Sequence, residues 1–367
     1  MMINLMLMIT KQLFPFLLIV IFTQVSFGQT PDELLLRNYR PVSIYKIPVT
    51  KIEKAKFPVI DMHSHSWFAK TEKEVKEWLA LMDRFGIDKV VLLTESTGPQ
   101  FDSIYQVYAP YGNRFELWCG FDYTGYQEPG WGEKAVKELE RCVKVGARGV
   151  GELGDKGLGE VFSNPVPGYG MHVDDKRLQP LYRKCAELGI PVSIHVAEPL
   201  WMYRPMDSTN DGLMNAYHWR VDTTRPGFRG HGEMIRSLEN VVKENPRTTF
   251  VACHLANCEY DLTLLGNLLD KYKNLYADVA ARFAEIAPIP RFAAAFFEKY
   301  QDRLVYGTDY HPGSFMFETT FRILQTNDEH FYATDLFEYH WPLQGFNLSN
   351  GALRKIYGEN ARKILKK

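Results

Sequence analysis

Asp61-Met62-His63-Ser64-His65 sets two imidazoles two residues apart at the end of an apolar run, FPVIDMH. Successive side chains of a strand point to opposite faces, so His63 and His65 share a face and can grip one cation together. Alone, the spacing is weak, because a chain with 10 histidines can produce it as a packed or solvated pair. Other apolar runs end in the same way. His195 lies at the end of PVSIHV, His254 closes TTFVACH, and Asp309 lies two residues beyond RLVYG. Taken singly, each reads equally as a hydrogen-bonded strand-end residue. Taken together, three or four imidazoles and a carboxylate form a hard-to-borderline donor set suited to Zn²⁺, with Mn²⁺ as the other candidate. Such an ion lowers the pKa of its water from about 15.7 toward about 7 and polarises a carbonyl under attack.

Residues so far apart in the chain need a scaffold that gathers strand ends. Eight short apolar runs read as strands: Phe57–His63, Lys89–Leu93, Glu116–Phe121, Ala147–Leu153, Pro191–Val196, Thr248–His254, Leu275–Val279 and Arg303–Gly307. Between them lie stretches with helical spacing, among them Glu72–Gly86, Glu133–Gly146, Asp175–Gly189 and His231–Pro246. Several close on a Gly just before the next strand, as helix C-caps do. Strand then helix, repeated about eight times, predicts an α/β fold with a single (β/α)₈ TIM barrel. An open doubly wound sheet is the alternative, but that fold carries a Gly-rich phosphate turn after its first strand. Here His-Ser-His-Ser-Trp follows instead. Connections leaving strands are long after the fourth (Gly154–Asp174), the fifth (Ala197–Gly230) and the eighth (Thr308 to about Ser349). In a barrel all three lie on the C-terminal face, where they are expected to wall in a pocket.

The 367 residues are 46% hydrophobic and 24% charged, with a formal net charge of −1. Nothing in that balance offers the basic stripe of a nucleic-acid protein, so no nucleic-acid partner is expected. The run Leu13–Phe22 is apolar but shorter than the roughly 20 residues of a spanning helix. Residues 1–28 read as a secretory signal cut near Gly28–Gln29, an uncleaved membrane anchor being the other reading. The mature chain is then expected to be secreted, in the periplasm, with no membrane contact. Residues 29–56, punctuated by Pro31, Pro41 and Pro48, read as an extended arm, and 57–367 as the barrel. Five widely spaced cysteines are too few for a disulfide framework and form no CxxC pair. The oligomeric state stays open, a homo-oligomer included.

With these residues in view, the chain resembles the amidohydrolase superfamily, specifically its amidohydrolase-related branch of lactonases and metal-dependent decarboxylases. The likeness runs from Phe57 to Leu365. It rests on VIDMHSHSW, DDKRLQPLYRKCAELGIPVSIHVAEP, TTFVACHLAN, RLVYGTDYH and LRKIYGENARKIL. The resemblance implies that His63, His65, His195 and Asp309 bind a divalent metal, one or two ions per chain. His254 would orient substrate or water, or bind a second ion. Glu152, in GVGELG, takes the place where some members carry a carboxylate bridging two ions. Its other reading is a barrel-interior carboxylate paired with Arg or Lys. Asp309 would accept the water's proton and return it to the leaving group. His254 would stabilise a developing oxyanion.

These features predict a hydrolase using metal-activated water on a lactone, ester or amide of a small carbohydrate- or plant-derived acid. Non-oxidative decarboxylation by the same family is the alternative, and a non-catalytic metal- or ligand-binding barrel the third reading. The substrate is a small molecule in each case. Trp67, just past the HxH, and Arg282, just past the seventh strand, are placed to touch it; His172, His311 and Trp201 are further candidates. The aromatic and Arg residues of the loop after the fifth strand, such as Tyr203 and Trp219, equally well pack that loop against the barrel.

Overall fold

The computed structural model describes residues 30–366. The segment expected to be a secretory signal lies outside them. The chain divides into two units, Met1–Tyr39 and Arg40–Lys367. That boundary falls within the expected arm of residues 29–56. In the first unit the described residues form a turn and a 3-10 turn at Leu36–Asn38. In the second, residues 40–58 contain no regular element. They are pinned at Thr50, whose N and Oγ1 donate to the Asp328 carboxylate at 2.8 and 2.6 Å. Farther along, Ala55 N donates to Phe85 O at 3.0 Å. Among the described residues no helix is long and apolar enough to cross a membrane.

Eight parallel strands follow: β1 (Val59–Ser64), β2 (Ile87–Leu93), β3 (Phe115–Trp118), β4 (Val150–Asp155), β5 (Val192–Val196), β6 (Phe250–Ala252), β7 (Leu275–Asp278) and β8 (Leu304–Val305). They form one sheet of β1-β2-β3 and another of β8-β7-β6-β5-β4. Backbone hydrogen bonds join the two at both seams. On one side Cys119 N donates to Gly149 O at 3.0 Å and Gly151 N to Cys119 O at 2.8 Å. On the other Met62 N donates to Tyr306 O at 2.9 Å and Thr308 N to His63 O at 3.2 Å. The sheet therefore closes into a TIM barrel.

The strands form where the sequence supplies apolar runs that can be buried, as the six buried positions of β1 illustrate. The helices between them are amphipathic. In α1 (Glu72–Phe85), Thr71 and Glu74 make a capping box, and Gly86 ends the helix at φ +76°. The face buried is Val75, Trp78, Met82 and Phe85, each contributing about 1.5–3 kcal/mol by leaving water. The helices α2 (Gly98–Tyr108), α3 (Trp131–Val145), α4 (Gln179–Leu188), α5 (His231–Glu244), α6 (Leu262–Lys271) and α7 (Pro290–Lys299) complete the alternation. After β8 the stretch read as loop contains a further helix, α8 (Ser314–Gln325). Seven of its residues are buried, including Phe317, Phe321 and Leu324, and only a narrow polar stripe, Ser314, Glu318, Arg322 and Gln325, marks its period.

The strands end in an unusual way. Glu95, Ala197, His254, Ala281 and Asp309, each just past a strand, adopt positive φ between +48° and +61°. Left-handed backbone is costly for side-chain-bearing residues and concentrates at functional sites. Four of these turns are held by main-chain bonds to the neighbouring segment. Glu95 N donates to Gly151 O (3.1 Å), Ala197 N to Asp155 O (2.9 Å), Ala281 N to Thr308 O (3.3 Å) and Asp309 N to His63 O (2.8 Å).

Candidate metal centre

The C-terminal rim gathers His63, His65, Glu152, His195, His254 and Asp309. His63, His65 and His254 are almost wholly buried, while Asp309 opens upward with its side chain 26% exposed. Three of the imidazoles are oriented from behind. His63 Nδ1 lies 2.9 Å from Asp278 Oδ2, His65 Nδ1 donates to Leu93 O at 2.9 Å, and His254 Nδ1 donates to Ala280 O at 2.9 Å. With Nδ1 so engaged, each ring turns the Nε2 lone pair toward the rim.

Glu152 sits among them. Its Oε2 is 3.5 Å from Nε2 of both His63 and His65; its Oε1 is hydrogen-bonded to His195 Nδ1 and lies 3.5 Å from His254 Nε2. Asp309 Oδ1 is 2.9 Å from His65 Nε2, and its Oδ2 is 3.8 Å from His254 Nε2. Burial opposes charge on Glu152, yet His195 and His63 hold it well below the usual carboxylate range. Burial likewise opposes Asp309, and His63 and His65 hold it low. For His63, burial works against protonation, but Asp278, Cys253, Asp309 and Glu152 keep its imidazole well above its ordinary value. The rim is a strongly cation-attracting field.

A divalent ion fits it. Nε2 of His63 is buried and has no hydrogen-bond partner, a costly condition that ligation relieves. Donor atoms of His63, His254 and Asp309, and separately of Glu152, His195 and His254, lie within 4.8 Å of one another. Because Nδ1 of His254 donates to a carbonyl, its Nε2 suits ligation better than donation to an oxyanion.

A cavity of about 550 Å³ opens above the rim. The three long connections line it, with Lys156 and Phe162 from the first, Glu198, Met202 and Trp219 from the second, and Tyr310, Phe337 and Tyr339 from the third. Trp67 stacks on His65 at 3.8 Å, and Arg282 reaches the cavity wall from its place between Asn257 and Glu285. His172, His311 and Trp201 are not among the lining residues. His172 Nδ1 is bound to Asp155 at 2.9 Å, His311 packs on Phe68, and Trp201 on Tyr339 and Trp341.

Sequence reasoning missed four residues here. Asp278 closes LYAD, Glu95 follows KVVLLT, and Lys156 pairs with Glu198 in the wall. Asp278 and Glu95 carry the signal that revealed Asp309, a polar residue where an apolar strand runs out.

A closed parallel barrel with imidazoles and carboxylates clustered on its C-terminal rim defines the class. The family model described as Amidohydrolase matches residues 122–367, and the chain belongs to that family. The matched span leaves out β1 with its HxH pair. Among solved structures, the chain is similar to an uncharacterized TIM-barrel protein from Bordetella bronchiseptica (17% identity, TM-score 0.51, covering 84% of this chain and 99% of that one). It is similar also to a dihydroxybenzoic acid decarboxylase from a Polaromonas species with bound manganese and the inhibitor 2-nitroresorcinol (15%, 0.51, 84% and 97%). A third is a 5-carboxyvanillate decarboxylase from Novosphingobium aromaticivorans, complexed with manganese and a nitrobenzoic acid (16%, 0.50, 87% and 100%). At these identities the likeness is one of fold. No curated protein matches the chain.

Proposed function

We propose that this protein is a metal-dependent hydrolase that adds water across a C–O or C–N bond of a small lactone, ester or amide bound beneath the three long loops. The observation that carries this reading is the division of Glu152, with Oε2 toward His63 and His65 and Oε1 toward His195 and His254. A carboxylate shared between two imidazole pairs is the donor set for two divalent ions, Zn²⁺ or Mn²⁺ by its mix of nitrogen and oxygen. Ions bound there supply Lewis acidity and a water of lowered pKa. Asp309, the ligand most open to the cavity, takes the water's proton on attack and delivers it to the leaving group. Trp67 and Arg282 border the space for the rest of the substrate.

Decarboxylation is the second reading, and the comparisons favour it more than hydrolysis: both solved structures named above with a stated activity are decarboxylases holding manganese. On that reading the same rim binds a substrate carboxylate or hydroxyl, and a rim acid protonates carbon.

Purified protein loaded with Mn²⁺ or Zn²⁺ should be offered a panel of sugar-acid and aromatic lactones and esters, with acid release followed by titration. The same preparation should be offered hydroxylated aromatic acids, with CO₂ release measured. Chelator-sensitive acid release supports hydrolysis. Release of CO₂ without any hydrolysis replaces it with the lyase reading, and failure to retain any metal overturns both.

A further inference from the structure

Glu95 stands on the rim without a role in the reading above. It follows β2 in left-handed backbone, φ +51°. Its chain is fastened on both sides: N donates to Gly151 O at 3.1 Å, while O accepts from Asn164 N at 2.7 Å and Ser163 Oγ at 3.3 Å. The backbone of Gly120 presses so close that a Cβ there would lie 2.7 Å from the carbonyl of Glu95. The surroundings thus hold one residue in a costly conformation, and the result is a half-buried side chain directed into the cavity. A carboxylate oxygen of Glu95 lies within 4.8 Å of ligand atoms of both His65 and Glu152. Among the described residues it accepts no hydrogen bond and has no Lys or Arg partner. Two carboxylates set that close to each other repel unless a cation or a shared proton lies between them.

We propose that Glu95 is a metal ligand, giving an oxygen to the ion held by His65 and Glu152. This inference rests on the metal-centre reading of the rim and deepens it. The two halves of the centre then differ. Each has two imidazoles, but the half at His63 and His65 gathers carboxylates from Glu95, Glu152 and Asp309. The half at His195 and His254 shares only Glu152 and the far oxygen of Asp309, 3.8 Å from His254. Oxygen-rich sites suit harder ions and imidazole-rich sites suit Zn²⁺, so the halves prefer Mn²⁺ and Zn²⁺ respectively.

The test is metal binding, read without any substrate. Metal-free wild type, Glu95→Gln and Glu95→Asp are titrated with Mn²⁺ and with Zn²⁺, with stoichiometry from elemental analysis and Mn²⁺ occupancy from its paramagnetic resonance signal. Expected is a Mn²⁺ site weakened about 10- to 100-fold in Glu95→Gln and partly restored in Glu95→Asp, with Zn²⁺ at the other half unchanged. Unaltered Mn²⁺ affinity in Glu95→Gln overturns the proposal while leaving the centre intact. A wild type that binds no ion overturns the proposal together with the functional reading. If Glu95→Gln fails to fold, Glu95→Asn, whose side chain suits left-handed backbone, takes its place with the same outcomes.

Discussion

Oδ2 of Asp278 lies 2.9 Å from Nδ1 of His63, and neither side chain reaches solvent. The other oxygen, Oδ1, accepts from the backbone N of His254 at 2.8 Å. One carboxylate at the end of β7 therefore orients an imidazole from β1 and the chain that carries another from β6. Burial opposes its charge, but His63 and His254 hold it below the usual carboxylate range. Replacing Asp278 by Asn keeps the shape and removes the charge that favours Nε2 of His63 as the ligating atom. Metal affinity should fall about 10- to 100-fold with the fold retained. Competition against a chromogenic chelator measures it, and an affinity equal to wild type would show that His63 needs no such support.

Asn257 ties three strand ends together. Its Nδ2 donates to Val196 O and Ala197 O at 3.0 and 3.1 Å, and its Oδ1 accepts from Arg282 Nη2 and Nε at 2.6 and 2.9 Å. It also ends the left-handed run His254–Asn257, conformations that cost side-chain-bearing residues about 1–2 kcal/mol each. Asn257→Ala should lower stability by about 3 kcal/mol, because a buried guanidinium and two carbonyls lose partners at once. Urea unfolding of the metal-free protein checks this; a loss below about 1 kcal/mol would mean that water or a neighbour replaces the amide.

The barrel was readable because its elements declare themselves locally. Glu72–Phe85 has a capping box, a four-residue apolar face and a terminal Gly in consecutive sequence, and its bounds emerge almost unaltered. The histidines were readable because an imidazole breaking an apolar run is conspicuous. Asp278 was not, since a carboxylate ending LYAD reads equally as a solvated strand terminus until His63 is known to lie opposite. Glu95 is hidden for a related reason: only the left-handed turn, invisible in KVVLLTES, swings it inward. The packing of Trp201 was not legible either, since its partners Tyr339 and Trp341 come from a distant loop, and packing at that range leaves no local trace.

A group away from the metal ligands should shape the pH dependence of stability. Burial raises the Glu285 carboxyl to about 7 from an ordinary 4.5, against the lowering pull of Arg282, with Glu259 adding to the rise and the Tyr339 hydroxyl donating to it at 3.2 Å. Below about 4.5 both folded and unfolded chains hold the proton, and the contribution to stability is complete. Between 4.5 and 7 the unfolded chain releases it and the folded chain does not, so stability falls as pH rises. The loss from this residue reaches about 3 kcal/mol above pH 7. Glu285→Gln cannot titrate, and its stability should decline less between pH 5 and 8 than that of wild type. Parallel denaturation midpoints across that range would sink the assignment.

The left-handed turns at the strand ends also bear on how such a site changes over generations. Four of them are fixed by main-chain bonds to the adjoining segment, Glu95 to Gly151, Ala197 to Asp155, Ala281 to Thr308 and Asp309 to His63. Those bonds persist whatever side chain the turn carries, so the direction of each Cβ is inherited independently of its chemistry. Ala197 and Ala281 already occupy two of these positions without contributing a functional group. Ala197 is enclosed in the core, but Ala281 borders the cavity, a preset location where a single codon change would project a new donor or acid into the cavity from a turn the barrel already holds.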